Sequence, residues 1–200
     1  MRITVVVAAA LLLASPLTAY AQADNSVNVR GTVDKFDGDK LIVNAREGNK
    51  VTVVVPADTR VSGTDKRTLA DIKDGSYAAS TSIKGPDGKL HAMEVHLLGN
   101  TPPRRQTQFA YDLAPDSLMT NAQVSQVKTV GQNGEITVSY EGKNEVVVVS
   151  PETPIVIAVP GDKGLLKPGA AVFIAATKGA DGTLTAQRIS AEKDGVKPPM

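Results

Sequence analysis

The chain has 200 residues, with 22 Lys and Arg against 21 Asp and Glu, and it contains neither cysteine nor tryptophan. Without cysteine there are no disulfide staples, thiolate metal sites, thiol nucleophiles or lipidated cysteine anchors. A near-neutral balance lacks the cation surplus that binding a phosphate backbone requires, so no nucleic-acid partner is expected.

Residues 1–23 read as a signal peptide. Arg2 supplies a positive charge, Val5 to Ala14 are apolar without interruption, and Ala21-Gln22-Ala23 places small residues where a signal peptidase cuts. The run falls short of the roughly 20 apolar residues that span a bilayer, so no membrane anchor is expected. Cleavage near Ala23 predicts a periplasmic or secreted protein, and loss of Arg2 leaves 21 basic against 21 acidic residues.

Residues 24–98 form a first β-rich unit. Val33 to Phe36, Leu41-Ile42-Val43 and Val51 to Val55 are short β-branched runs separated by Asp37-Gly38 and Glu47-Gly48-Asn49, the pattern of hairpins. In the third run Val51, Val53 and Val55 point together into a core. Pro56 to Thr59 close this meander, and an irregular segment follows. Leu69 to Gly75 read as one helical turn ended by a left-handed glycine. Two further strands, Tyr77 to Ile83 and Leu90 to Leu98, meet at Pro86-Asp87-Gly88.

Residues 99–121 form an interdomain loop. Pro102, Pro103 and Pro115 break it up, and it carries Arg104, Arg105, Phe109 and Tyr111. A flexible spacer has no need of aromatic rings, so the segment is expected to pack across the units. Its guanidinium forks suit carboxylates and its rings suit stacking, which marks these four residues as candidate ligand or partner contacts.

Residues 122–192 repeat the first unit, and 193–200 form a tail. Thr59 matches Thr153, Gly75 matches Gly169, Asp87-Gly88 matches Asp181-Gly182, Ala92 matches Ala186 and Val95 matches Ile189, all 94 positions apart. A fixed period marks a duplicated structural unit, so the copies share fold, and their differences are the place to look for function. About five strands per copy, with glycine turns and no long helix, predict an all-β protein of two tandem small antiparallel OB-like barrels. A single β-sandwich formed by both repeats is the alternative.

Catalytic signatures are absent: there is no Gly-x-Ser-x-Gly elbow, no His-Glu-x-x-His and no phosphate-binding glycine loop. No enzyme activity and no cofactor are expected. Both histidines lie in His91-Ala92-Met93-Glu94-Val95-His96, and imidazole with thioether suits copper. On an unbulged strand His91 and Met93 share a face while His96 lies opposite, so the metal reading rests on His91 and Met93. Asp34, Asp37 and Asp39 lack the order of a calcium loop and read as a hairpin turn.

Val29-Arg30-Gly31-Thr32-Val33, Leu69 to Gly75, Asp87-Gly88 with Ala92, and Glu94-Val95-His96 resemble a bacterial secreted group, the domain of unknown function 5666. The likeness continues through Met119-Thr120-Asn121-Ala122 and the second copy to Pro198-Pro199-Met200. The resemblance implies a periplasmic β-barrel protein with no activity or ligand established for the family; some relatives carry metal-transport and permease labels, while this chain has no spanning segment. The expected function is a non-enzymatic periplasmic binding or scaffold protein for an envelope protein or small molecule, with copper handling through His91 and Met93 as the alternative.

Overall fold

A computed structural model of the chain describes residues 25–199, so the signal-peptide reading of 1–23 lies outside the described residues. Strands are β1 (Ser26–Asp37), β2 (Lys40–Ala45), β3 (Lys50–Val54), β4 (Arg60–Arg67), β5 (Tyr77–Lys84), β6 (Leu90–Gly99), β7 (Thr107–Ala110), β8 (Leu118–Val130), β9 (Asn133–Tyr140), β10 (Lys143–Val149), β11 (Ile155–Pro160), β12 (Ala171–Lys178) and β13 (Leu184–Ala191). Single 3-10 turns at Leu69–Asp71 and Lys163–Leu165 are the helical pieces among the described residues, so the chain is all-β. Gly75 and Gly169 follow those turns with φ of +83° and +84°, the left-handed conformation expected of them.

Expected as two successive closed units, 24–98 and 122–192, the strands pair differently. In one ring β1, β2 and β3 of the first half close with β12 and β13 of the second, through β1–β12 and a short parallel β3–β13 pairing. In the other, β8, β9 and β10 close with β5 and β6 of the first half through β8–β5 and β10–β6. The halves have exchanged their last hairpins. One 13-stranded sheet joins the rings through β6, β11, β4 and β13.

The cause of the exchange lies in β4 and β11, which pair antiparallel with each other and carry the following hairpins to opposite sides. Their register sets Thr64 against Ala158, two residues 94 apart, so a pseudo-two-fold axis passes through that pair. The parallel contacts around that axis obey the same offset, while β1 and β8, which close the rings on the other side, correspond three residues closer. Leu184 faces Val53 where Val147 faces Leu90, and Val61 faces Ile189 where Ile155 faces Val95.

Each core is therefore composite. One combines Leu41, Val43, Val53 and Val55 with Val172, Ile174 and Ile189; the other combines Leu90, Val95 and Leu97 with Ile136, Val138 and Val147. Full burial of such a side chain contributes about 1.5–3 kcal/mol, so neither half alone holds a complete core. Thr59 shows where the copies diverge. Its counterpart Thr153 accepts a hydrogen bond from the Ser150 amide and bonds the Ala92 carbonyl, whereas Pro56, at the position of Ser150, has no N–H, and Thr59 Oγ1 is buried without a partner.

The interdomain segment is less of a loop than expected. It adds β7 to the edge of β8, with Phe109 opposite Met119 and Thr107 opposite Asn121. β8 itself begins at Leu118, inside the span read as a loop.

Candidate functional site

Alternation assigns one face of the bridging strands to the cores and the other to a cleft. Val95, Ile155, Val61 and Ile189 point to the cores, and the outer-face neighbours of Val95 and Ile189 meet across a space of about 1010 Å³. One wall comes from the ring of β5, β6 and β8 with β7: Glu94, His96, Met119, Asn121 and Phe109. The other comes from β12 and β13: Phe173, Arg188 and Ser190.

Two bulges aim the charged groups. The β5–β6 register passes from Ser82 opposite Ala92 to Thr81 opposite Glu94, skipping Met93; the β12–β13 register passes from Ala176 opposite Ala186 to Ala175 opposite Arg188, skipping Gln187. Met93 and Gln187 lie 94 apart, so the bulge is duplicated, and a bulge re-aims the side chains beyond it. It delivers Glu94 from one copy and Arg188 from the other to the same cleft. It also corrects the expected faces of the histidines: with Ala92 packed on one core side of the bulge and Val95 and Leu97 buried on the other, His91 and His96 share the outer face.

Glu94 is 4% exposed, and its Oε1 accepts a 2.6 Å hydrogen bond from Thr81 Oγ1 while standing 3.6 Å from His96 Nε2. Burial pushes its carboxyl up, but hydrogen bonding and charge from His96, with Thr81 and Arg30 behind them, more than offset this and hold it below the ordinary carboxylate range. A depressed folded value means that its stabilisation is present above the unfolded glutamate pKa of about 4.3 and is lost as pH falls through the folded value. Between about pH 7 and pH 3 the wild type is expected to lose more unfolding free energy than Glu94→Gln. Urea titrations at both pH values check this, and equal losses would refute an ionised, neighbour-stabilised Glu94.

All four sequence-predicted contact residues, Arg104, Arg105, Phe109 and Tyr111, line the cleft. Phe109 is 45% exposed and meets Tyr111 edge-on at 6.3 Å. Tyr111 reaches the opposite ring, where the Arg30 guanidinium lies 5.2 Å from its ring and 5.0 Å from that of Phe173. Arg30 is 3% exposed and grips Asp112 with two hydrogen bonds of 3.0 and 2.9 Å, and Asn28 and Arg46 hold the same turn. Burial pushes the Asp112 carboxyl up, and hydrogen bonds from Arg30 and Asn28 with the Arg30 charge overcome this and lower it. The connector thus straps one ring to the other.

Among the described residues no ion pair engages Arg104, Arg105 or Arg188. Arg188 instead lies 5.9 Å from the ring of Phe173. The cleft therefore offers three cations outside any described ion pair and three aromatic rings, beside the buried carboxylate of Glu94. His91 and Met93 are elsewhere: His91 Nε2 meets Asp87 Oδ1 at 3.0 Å beside the β5–β6 turn, and Met93 occupies the bulge. Among the described residues no cluster of three or more His, Cys, Asp or Glu is placed to hold a metal ion. Ser190 and His96, at matched positions of the two copies, stand three strands apart and four residues out of register, Ser190 level with Pro160 of β11 and His96 level with Val156, beyond the reach of a hydroxyl nucleophile and its base.

Sequence reading did not single out Phe173, Arg188 or Ser190. The repeat offset points to the last two: Arg188 stands where the first copy has Glu94, and Ser190 where it has His96.

Fold and cleft together define an all-β protein with a charged, aromatic groove between two strand rings. Residues 124–190, about a third of the chain, match the family model described as Domain of unknown function (DUF5666). The matched segment runs from Val124 of β8 to Ser190 of β13 and so contributes strands to both rings. No curated protein and no solved structure matches the chain. No described helix is long and apolar enough to cross a membrane.

Proposed function

We propose that the chain is a non-enzymatic binding or scaffold protein of the periplasm or cell exterior, whose cleft takes an envelope protein or small molecule bearing an anionic group on an apolar body. The observation that carries this is the convergence, from segments far apart in sequence, of Arg104, Arg105 and Arg188 with Phe109, Tyr111 and Phe173 around one cleft. Guanidinium groups without acidic partners recognise carboxylate or phosphate, and aromatic walls recognise the apolar remainder. The separation of Ser190 from His96 supports binding over catalysis. On this reading each ring is an OB-like barrel whose five strands come from two repeats: the long bulged β1 and β8, each pairing with two strands of its own ring, favour that assignment.

Native mass spectrometry of the chain recovered from its own envelope tests the reading. A bound anionic species is expected on the wild type, retained at least about tenfold less by Phe109→Ala and by Arg188→Glu. Equal retention by folded variants would count against the cleft as the site.

A further inference from the structure

The chain lines part of the cleft with its own prolines. After β13 a tight turn, with Asp194 and Gly195 at positive φ and Lys193 bridged to Val196, directs the tail back over the sheet. Pro198 is buried and Pro199 half-buried, and both line the cleft that Phe109, Tyr111 and Phe173 wall. Pro103 of the connector lines it as well. Proline fixes φ near −65° and offers no backbone N–H, so it loses little entropy on docking and seats against aromatic faces in the manner of polyproline ligands.

The tail is an incomplete occupant. Its neighbour Lys197 is a cation, whereas the cleft presents Arg104, Arg105 and Arg188 without acidic partners. A segment that joined prolines to carboxylates would satisfy both features where the tail satisfies one.

We propose that the cleft recognises an extended, proline-rich, acidic segment of another protein, and that Pro198 and Pro199 act as an intramolecular plug which this segment displaces. The proposal rests on the binding reading above and narrows its ligand class. A displaced plug reduces apparent affinity by the fraction of molecules in which the site is open.

The test is a titration of a fluorescent peptide alternating Pro-Pro with Glu into the full chain, followed by anisotropy. Binding to Pro198→Gly/Pro199→Gly is expected to be about tenfold tighter than to wild type, and Phe109→Ala in that background is expected to lose about tenfold. Added salt weakens the complex, as the arginine contacts require. Thermal melts of each variant establish that its fold persists, and Arg188→Glu, an exposed position, provides a second loss variant. Equal affinity for wild type and tail variant overturns the plug. Equal binding of a peptide of alternating Ala-Ala and Glu overturns the proline requirement, and equal binding of a neutral proline peptide overturns the acidic one. Absence of binding to any of them, with the anionic species still retained in native mass spectrometry, overturns this proposal and leaves the broader reading standing.

Discussion

Two fragments, residues 25–99 and 106–199, are each expected to fail to fold as a monomer, and to regain cooperative structure when mixed in equal amounts. Apart, the first fragment loses β12 and β13, so β1 has no partner on one side and β3 none at its closing edge. The second loses β5 and β6, leaving β8 and β10 in the same position. Each composite core is divided, and the roughly 5–15 kcal/mol that stabilises an ordinary domain goes with it. The pseudo-two-fold register gives each fragment one escape: a second copy of itself in the place of the other half. Circular dichroism and light scattering of the separate and mixed fragments check this. A cooperatively melting monomer from either fragment alone would show that closure does not need the exchange.

Asp112→Ala is expected to destabilise the chain by roughly 2–3 kcal/mol. Removing one partner of a buried ion pair costs about 3–5 kcal/mol because the other charge is left unpaired, and the 50% exposure of Asp112 moderates that figure. Arg30 cannot follow the lost carboxylate into water: it is packed between Tyr111 and Phe173, and its Nε already lacks a hydrogen-bond partner. Replacing it with an apolar side chain of similar length removes the uncompensated charge, so Arg30→Met with Asp112→Ala is expected to be more stable than Asp112→Ala alone. Urea denaturation of the single and double variants measures the difference. A change below about 0.5 kcal/mol for Asp112→Ala would mean that the strap contributes nothing to holding the rings.

Much of this was legible in the residues. The β-branched run at Val51 to Val55 and the glycines at 75 and 169 follow from alternation and positive φ alone, because both are local properties. The span of β4 reads as irregular because Arg60 to Arg67 offers one large apolar residue, Val61, to a core, and satisfies Thr64 by a hydrogen bond to the Ala191 carbonyl. Its counterpart Ile155-Val156-Ile157 reads as a strand, and the offset of 94 carries that reading back to residues 61–63. The faces of the histidines were misplaced because a bulge leaves no mark in a sequence that Met93 fills without a glycine or proline.

Connector residues Arg104, Arg105, Phe109 and Tyr111 stood out because aromatic rings and guanidinium groups are out of place in a spacer. Their companions on the opposite wall did not, since Phe173 and Arg188 sit in strands where such residues are ordinary. They became visible as part of a cleft only when β12 and β13 were seen to face β5 and β6 across the axis.

Alternation and turn residues determined by themselves that the chain is all-β, and composition that it carries no thiol side chain, since each depends on short-range patterns or on residue type alone. Which half closes on which was decided only in three dimensions. Hydrogen bonds between strands are indifferent to the segment that supplies the partner, so two like copies satisfy them equally well alone or exchanged, and the antiparallel pairing of β4 with β11 settles the choice.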